Sequence, residues 1–333
     1  MNILGVVGCG YWGPNLVRSF QEIDEVEVRY VCDRDPARLE ALRRRFRQVR
    51  PTTRFEDLLE DPEVEALVIS TPPASHHSLA RRALEAGKHV FVEKPLAVSS
   101  AQCDDLVALA RQKERLLMVD HTFVYTSAAR KIKEILERGD LGEILYYDSV
   151  RINLGLYQDD VNVVWDLAVH DLSILDFLLG EQPASVWGLG VRQAGHKSED
   201  VAYVTLLYPS GRVAHMHVNW LSPVKIRRIL LGGSRRMLLW DDQLADEKLK
   251  IYERGVDWSQ TDRARSLIQY RLGDTTSPHL EPVEALRVCS QHFIDCLRGG
   301  GSPLTDGEAG GRVVRILEAI DRSIARRGEQ VAI

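Results

Sequence analysis

A glycine-rich turn near the start of the chain has the spacing of a diphosphate-binding site. Gly8, Gly10 and Gly13 match the pattern G-x-G-x-x-G. The pattern alone is weak evidence, but here it directly follows an apolar run and directly opens a helical pattern. In that position Gly8 permits a tight turn, Gly10 lets the backbone approach a pyrophosphate, and Gly13 allows close helix–strand packing. We expect Tyr11 and Trp12, which lie between these glycines, in the same dinucleotide site.

An acidic residue follows at the distance that a dinucleotide site requires. Asp33 ends the next predicted strand, about 20 residues after the last glycine of the turn. A carboxylate there accepts hydrogen bonds from the adenosine ribose hydroxyls and repels a 2′-phosphate, which favours NAD over NADP. Arg34 and Arg38 keep NADP possible, because a nearby guanidinium can hold that phosphate.

Three further side chains have the types that hydride transfer from an alcohol needs. Lys94 precedes Pro95, which cannot continue a sheet ladder, so we expect its ammonium at the end of a strand. There it can polarise a developing carbonyl oxygen. Asp166 and His170 are spaced i,i+4, so one helix face presents both, and an imidazole titrates near neutrality. Taken singly, Lys94 also fits a surface lysine, and the Asp–His pair also fits a helix-stabilising contact.

The first part of the chain alternates short apolar runs with longer amphipathic stretches. The pattern predicts strands over 3–7, 26–32, 66–70, 89–92 and 116–119, and helices over 13–20, 35–47, 78–86 and 99–113. Alternating strands and helices at this spacing imply right-handed crossovers and a parallel sheet with helices on both faces. We therefore predict a Rossmann dinucleotide-binding domain, a doubly wound α/β sheet, over residues 1–121.

After about residue 122 the pattern changes. It predicts helices over 128–138 and 166–179, closely spaced strands over 185–191, 201–208, 212–220, 227–231 and 236–240, and helices over 282–298 and 308–327. The polar segment 255–282 is predicted to be a long loop or lid. Consecutive strands with short turns indicate an α+β domain over 122–333, with a large, mainly antiparallel open sheet. We expect this domain to bind the substrate and to form the oligomer.

Composition excludes several classes of partner. The chain has 333 residues with 43 Lys+Arg and 48 Asp+Glu, so neither nucleic acid nor an anionic membrane is an expected partner. We find no apolar run that approaches the ~20 residues of a membrane-spanning helix. The five cysteines form no C-x-x-C pair, which favours reduced thiols and a cytoplasmic location. His215 and His217 share a strand face but have no third ligand nearby, so we predict no metal.

Three short motifs resemble those of the Gfo/Idh/MocA oxidoreductases. Residues 71–76 are similar to the family's T-P-x-x-x-H segment, and residues 93–95 match its E-K-P motif. Residues 166–170 resemble its D-x-G-x-H helix, with Ala168 in place of the usual glycine. Together with the glycine turn and the change of pattern near residue 122, these matches cover essentially the whole chain and are specific for the superfamily.

The resemblance implies an NAD(P)-dependent oxidoreductase in which Lys94 polarises the substrate oxygen and His170 is the general acid/base, with Asp166 as a third catalytic residue. We expect Lys94 and His170 to meet across the domain boundary at the cofactor's reactive ring. In some branches of the superfamily a tyrosine transfers the proton, and Tyr125 and Tyr157 are the candidates here. The predicted cofactor site comprises Gly8, Gly10, Tyr11, Trp12, Gly13, Asp33, Arg34, Thr71, Pro72, His76, Glu93, Lys94, His121 and Trp165.

Residues 10–16, 120–125 and 220–225 look closer to one branch, the nucleotide-sugar 3-dehydrogenases and 3-ketoreductases. That likeness implies a UDP- or dTDP-linked hexose, oxidised or reduced at C3, with UDP-N-acetylglucosaminuronate as the leading candidate. An arginine near the sugar can bind a carboxylate or a diphosphate through two hydrogen bonds. Arg227 and Arg228 can do this or pair with acids at a sheet edge. The predicted substrate site comprises Lys94, Tyr125, Arg151, Asn153, Asp166, His170 and Arg228.

Two other functions stay open at this point. One keeps the fold and acts on a free sugar or polyol such as inositol. The other is a cofactor-binding regulator that has lost turnover.

Apolar side chains are expected on the open face of the second sheet, at Trp187, Leu189 and Val204. A second copy would cover them, so we predict a homodimer or a homotetramer.

Overall fold

The structure, a computed structural model, describes residues 1–155, 161–195, 197–262 and 267–333; for 256–262 and 267–269 it describes the backbone alone. Two compact units make up the chain. The first comprises Met1–Thr126 with Val283–Arg315, and the second comprises Ser127–Pro282 with Ile316–Ile333. In the described part of the chain, no helix combines the length and the apolar character that crossing a membrane would take.

The first unit contains a parallel sheet of six strands in the order β3-β2-β1-β4-β5-β6. The strands are Asn2–Val7 (β1), Val26–Cys32 (β2), Arg50–Thr52 (β3), Ala66–Ile69 (β4), His89–Glu93 (β5) and Leu117–Asp120 (β6). The strand order reverses between β1 and β4, and ligands of such sheets bind beyond the carboxyl ends of the strands at that point. This arrangement confirms the predicted doubly wound Rossmann sheet.

Five helices accompany these strands: Gly13–Gln21 (α1), Pro36–Arg45 (α2), Glu56–Glu60 (α3), His76–Glu85 (α4) and Ser100–Gln112 (α5). Helix α2 begins as its sequence predicts, because the Asp35 side chain accepts a hydrogen bond from the amide of Ala37. The sequence does not predict β3 or α3. Strand β3 has only three residues around a proline, and α3 is too short to show a helical period.

The second unit contains a sheet of nine strands in the order β16-β13-β12-β11-β7-β10-β9-β8-β17. Its strands, with the separate hairpin β14–β15, are Ile144–Leu154 (β7), Ser185–Val191 (β8), Val201–Leu207 (β9), Val213–Asn219 (β10), Leu221–Gly233 (β11), Met237–Asp241 (β12), Leu249–Tyr252 (β13), Gly255–Asp262 (β14), Leu267–Arg271 (β15), Thr275–Thr276 (β16) and Val331–Ala332 (β17). Strands β7 and β10 pair in parallel, and the other pairs of this sheet are antiparallel. The predicted large, mainly antiparallel sheet is confirmed.

The prediction of a long loop or lid over 255–282 is wrong. Strands β14 and β15 pair with each other, and β16 extends the large sheet beside β13. The polar composition of this segment masks an alternation of Val256 and Trp258 with polar residues, which is a strand period.

Two helices, Ser127–Glu137 (α6) and Val169–Leu179 (α7), belong to the second unit. The sequence predicts one helix over 166–179, but residues Val164–Ala168 form a π-helical turn that precedes α7. Asn162 starts this turn, since its side-chain oxygen accepts hydrogen bonds from the amides of Val164 and Trp165. The prediction that Asp166 and His170 share one α-helix is therefore wrong, because Asp166 lies in the π-helical turn and His170 lies in α7.

The segment after residue 282 forms the helices Ala285–Leu297 (α8) and Gly307–Ala325 (α9). The sequence assigns this segment to the second domain, whereas residues 283–315 pack with the first unit. The ring of Phe293 in α8 lies 5.4 Å from that of Phe91 and 6.2 Å from that of Phe20, in edge-to-face contacts. These apolar contacts draw α8 to the first sheet although it is distant in sequence.

One face of the large sheet, which we call the open face, carries Leu189, Tyr203 and Val213, whose exposed fractions are 53%, 43% and 38%. Trp187 on this face is half-buried. The prediction that Val204 lies on it is wrong, because the alternation of β9 turns Val204 to the opposite face, where it is fully buried. That opposite face is covered by helices, for example by Ile320 of α9 against Gly188.

Candidate functional site

The glycine turn joins β1 to α1 in the way that its pattern predicts. Gly8 has a φ of +95°, and a Cβ there would lie 2.5 Å from the Ser70 carbonyl oxygen, so only glycine fits. A Cβ on Gly13 would collide with the carbonyl of Gly8. Among the described residues, a Cβ on Gly10 would meet only a nitrogen of Arg38 at 3.8 Å, so this side of the turn is open to a ligand. The turn therefore fits a dinucleotide diphosphate.

Asp33 is held directly beside this turn. One carboxylate oxygen accepts a hydrogen bond of 2.6 Å from the amide of Cys9, and the other accepts one of 2.9 Å from the amide of Asp35. Arg38 lies at 4.0 Å from the same carboxylate, and Arg34 is exposed. The arrangement offers a fixed carboxylate for the ribose hydroxyls, with the Arg38 guanidinium near it.

Replacing Asp33 with serine is expected to weaken NAD binding about 10- to 100-fold, because a hydrogen bond to a charged group contributes about 1.5–3 kcal/mol. Binding of NADP should change less, since the repulsion of its 2′-phosphate is removed. Fluorescence titrations with NADH and NADPH measure both affinities. Asp35→Ser is the matched control, since serine keeps the cap of α2. If Asp33→Ser kept the wild-type ratio of NAD to NADP affinity, Asp33 would not contact the ribose.

Lys94 follows the last residue of β5 and is half-buried. The Lys94–Pro95 peptide bond is cis. Thr71 and Pro72 follow the neighbouring strand β4, and the Thr71 hydroxyl accepts a hydrogen bond of 2.7 Å from Ser75. The structure therefore brings Thr71, Pro72 and Lys94 to the same edge of the first sheet as the glycine turn, where this sheet type binds its ligand.

His76 and His121, both predicted to contact the cofactor, are buried. The two ring nitrogens of His76 lie 2.8 Å from the Pro95 carbonyl oxygen and 2.7 Å from the Thr71 carbonyl oxygen. Both ring nitrogens of His76 therefore lie within hydrogen-bonding distance of backbone carbonyl oxygens. His121 directly follows β6, with 1% of its surface exposed.

Glu93, also predicted to bind the cofactor, forms a buried pair of carboxyl groups with Asp120. The two residues are partners in β5 and β6, and their side chains hydrogen bond to each other. Thr122 donates to Asp120 at 2.6 Å, and the Cys289 thiol donates at 3.5 Å. Burial, and then the charge of Asp120, hold the pKa of Glu93 well above its usual value. Burial also raises the pKa of Asp120.

This pair predicts a loss of stability as the pH rises. Folded Glu93 keeps a proton that the unfolded chain releases above a pH of about 4.5. Between that value and its raised pKa, the free energy of unfolding falls by up to about 1.4 kcal/mol per pH unit. Glu93→Gln removes this titration and keeps a donor to Asp120, so its stability relative to wild type should increase from pH 5 to pH 8.

Urea denaturation of wild type and Glu93→Gln at both pH values measures this difference. The control is Glu60→Gln, which changes an exposed glutamate of the same unit. A constant difference between Glu93→Gln and wild type over the whole pH range would show that Glu93 is ionised in the folded protein.

Tyr125 is buried, and its hydroxyl lies 3.2 Å from that of Thr305. Burial raises the pKa of the phenol, and the neighbouring Cys289 raises it further. Both features disfavour Tyr125 as a proton shuttle near neutral pH. Tyr157, the other tyrosine considered, lies outside the described residues.

In the second unit, Asp166 is positioned by a tryptophan to which the sequence patterns assign no role. The indole N–H of Trp220 donates a hydrogen bond of 3.0 Å to the Asp166 carboxylate, and Trp220 is 1% exposed. A Cβ on Gly155 would collide with the Trp220 ring, so glycine is needed opposite it. Asp166 and His170 are both half-buried. The π-helical turn therefore presents a fixed carboxylate, and α7 presents the imidazole of His170.

Trp165, predicted to flank the nicotinamide, is 8% exposed and held inside the second unit. Its indole N–H donates a hydrogen bond of 2.6 Å to Asp321 in α9, which also accepts one of 3.0 Å from Asn162. Burial raises the pKa of the Asp321 carboxyl group. These contacts fix the π-helical turn on α9.

The predicted substrate arginines lie on opposite faces of the large sheet. Arg151 is 4% exposed and forms two hydrogen bonds, of 3.0 and 3.1 Å, with Asp171 of α7. Arg228 pairs with Asp241 at 2.7 Å. It lies on the open face, because Arg227 is the residue opposite Arg151 and successive strand residues point to opposite faces of a sheet. The structure therefore does not bring Arg228 together with Arg151.

Arg227, which the prediction left out of the substrate site, is half-buried. It lies 3.5 Å from Asp242, on the same face as Arg151. Burial, and then the charge of Arg151, lower the pKa of its guanidinium. Asn153 is half-buried two residues further along β7, on the same strand face. The sequence contained one signal for the buried group of Arg151, Asp171 and Arg227. Asp171 is a charged residue among the apolar positions of α7, and a charged residue at such a position is usually paired.

Within the part of the chain that the structure describes, no group of three or more His, Cys, Asp or Glu side chains is arranged to hold a metal ion. His215 hydrogen bonds to Thr205 at 3.0 Å, and His217 stacks on Tyr203 with ring centroids 4.5 Å apart. Both histidines therefore belong to the packing of the open face.

Two models of one protein family match the two parts of this sequence. Residues 3–121 match the model of an oxidoreductase family with an NAD-binding Rossmann fold, and residues 133–333 match its C-terminal alpha/beta domain. A relative from Saccharopolyspora spinosa, named dTDP-3,4-didehydro-2,6-dideoxy-alpha-D-glucose 3-reductase, is 29% identical over 71% of this chain and 74% of its own length. D-apiose dehydrogenase of Paraburkholderia graminis is 26% identical over 98% of this chain and 88% of its own.

Solved structures give the same fold. The UDP-N-acetylglucosamine 3-dehydrogenase of Acidithiobacillus ferrooxidans superimposes with a TM-score of 0.81 at 23% identity, covering 98% of both chains. The WlbA dehydrogenase of Bordetella pertussis, solved with NADH and UDP-GlcNAcA, gives a TM-score of 0.84 at 21% identity, over 100% of this chain and 97% of its own.

Proposed function

Since the chain belongs to the Gfo/Idh/MocA oxidoreductases, an NAD-binding family, we propose that it transfers a hydride between the nicotinamide and the C3 hydroxyl of a nucleotide-linked sugar. Membership of this family confirms the resemblance that the motifs suggest, and it confirms NAD as the cofactor. The chain is an oxidoreductase of CH–OH groups, as its relatives named dehydrogenases and reductases are.

The observation that carries the proposal is the carboxyl edge of the first sheet. The glycine turn after β1, the Asp33 carboxylate after β2 and the Lys94 side chain after β5 all end at this edge. When bound there, NAD supplies the hydride acceptor. The turn holds the diphosphate, Asp33 holds the ribose, and the Lys94 ammonium stabilises negative charge on the substrate oxygen as the hydride leaves.

We assign the proton transfer to a residue of the second unit. We assign its removal from the sugar hydroxyl to the imidazole of His170, because imidazole is the most common general base in enzymes. Asp166, held by the Trp220 indole, orients the sugar or the imidazole. The burial of Tyr125 supports this choice over a tyrosine shuttle.

The nucleotide-linked sugar is supported by relatives. Two of them are named for dTDP- and UDP-linked sugars. Arg227, half-buried beside the charged Arg151, is the cationic side chain that we assign to the diphosphate or to a uronate carboxylate. A free sugar is the second candidate substrate, because D-apiose dehydrogenase matches nearly the whole chain.

The test is a panel of NAD and NADP with UDP- and dTDP-hexoses and free polyols. A bound ligand raises the apparent stability, so thermal shifts identify the cofactor and the sugar class. Nicotinamide absorbance then measures turnover. A shift and turnover with free polyols alone would replace the nucleotide sugar, and cofactor binding without any turnover would favour the regulator.

We also propose a cytoplasmic homodimer or homotetramer formed through the open face. The five cysteines, all in described positions, are buried and form no disulfide, as expected for a reducing compartment. Exposed Leu189 and Tyr203 would be covered by a second copy. Light scattering should report an oligomer that Leu189→Glu dissociates, whereas a stable wild-type monomer would contradict the assembly.

A further inference from the structure

His76 occupies a position with an unusual chemical requirement. It begins α4, and none of its surface is exposed. Its Nδ1 lies 2.8 Å from the carbonyl oxygen of Pro95, and its Nε2 lies 2.7 Å from the carbonyl oxygen of Thr71. Both distances are those of good hydrogen bonds.

These two contacts determine which form of the ring fits. A backbone carbonyl oxygen only accepts hydrogen bonds, and a neutral imidazole carries one N–H and one lone pair. In either neutral tautomer, one ring nitrogen would point its lone pair at a carbonyl oxygen. Only the imidazolium donates at both nitrogens. A buried charge is costly unless its polar atoms are satisfied, and here both N–H groups have acceptors.

The two carbonyl groups belong to the chain segments that leave adjacent strands. Thr71 follows β4 and Pro95 follows β5, which pair in parallel from Ala66 with His89 to Ile69 with Val92. Pro95 directly follows Lys94. A ring that donates to both carbonyls therefore ties the Lys94 turn to the end of β4.

We propose that His76 is a buried imidazolium that positions Lys94 by holding the Thr71 and Pro95 carbonyls together. It is a positioning residue, since its ring contacts the backbone and not the reacting atoms. The ionisable groups on the strand that leads to Pro95 and on its neighbour are Lys94, Glu93 and the partner of Glu93, Asp120. On its own helix, His77 is paired with Asp105 of α5 at 2.8 Å.

The direct test is the protonation state of the ring in the unliganded full-length protein. Ring-labelled [15N]histidine reports whether each imidazole nitrogen carries a hydrogen, and the signals lost in His76→Gln are those of His76. At pH 7.5 we expect both nitrogens of His76 to be protonated. One protonated and one bare nitrogen would overturn the proposal. If His76→Gln does not fold, neutron diffraction on the wild-type protein locates the ring hydrogens directly and distinguishes the same two outcomes.

The second test is turnover, and it rests on the function proposed above. His76→Gln should lower kcat at least ~10-fold, because displacing a catalytic group by about 1 Å is costly. Wild-type kcat should fall at alkaline pH as the ring loses its second proton, and the variant should lack this limb. His77→Gln is the control and should keep both the rate and the pH profile. A protonated ring with an unaltered rate and pH profile in His76→Gln would overturn the positioning role.

Discussion

Replacing Lys94 with alanine is expected to lower kcat at least ~10²-fold while the Kd for NAD changes little. The diphosphate and the ribose are held by the glycine turn and Asp33, which this substitution leaves in place. What is lost is the ammonium that stabilises developing charge on the substrate oxygen. Stopped-flow or steady-state absorbance gives kcat, and fluorescence titration gives the Kd.

Two variants make this result specific. Lys113→Ala changes an exposed lysine at the end of α5 and should leave kcat unchanged. Lys94→Arg keeps the positive charge in a different shape and should retain part of the rate. If Lys94→Ala turned over the right substrate at the wild-type rate, Lys94 would have no part in the mechanism.

Asp171→Asn is expected to lower the free energy of unfolding of the second unit by about 3–5 kcal/mol. The side chains of Arg151 and Asp171 are 5% and 2% exposed, so the guanidinium would lose its hydrogen-bonded carboxylate where water cannot replace it. Arg227 lies opposite Arg151 in the register, and its pKa is already lowered by burial and by that charge. Without the carboxylate, two guanidinium groups would face each other.

Urea denaturation measures the loss, with Asp176→Asn, a half-buried position on the same helix, as the control. The double variant Arg151→Met with Asp171→Leu should recover most of the stability, because matched apolar residues can replace a buried ion pair. A double variant as unstable as Asp171→Asn would show that the cost comes from packing and not from unpaired charge.

The pattern of the first 121 residues was sufficient to predict its sheet. Strand β2 runs over the predicted residues, β1, β4 and β5 differ by one residue at one end, and β6 is shifted by one residue at both ends. Only short elements were missed. Period and turn chemistry are properties of neighbouring residues, and they can be seen in the sequence before any contact is known.

The candidate site could be predicted only in part. The glycine turn and Asp33 were identified because a diphosphate and a ribose impose a fixed spacing on the chain. The burial of Glu93 against Asp120, the contact of Trp220 with Asp166 and the two carbonyl groups on His76 could not be identified. Each joins residues from separate elements, and a residue type alone does not show which partner it will meet.

The sequence by itself determined the order of strands and helices in the first unit, the type of sheet in the second, and the side chains available for chemistry. The tertiary structure decided which of those side chains are buried, which are paired, and which sheet face each one occupies. Arg151 and Arg228 illustrate the difference, since one register step separates a buried ion pair from the open face. The physical reason is that strand register and helix docking depend on contacts between distant segments, whose energies no local pattern contains.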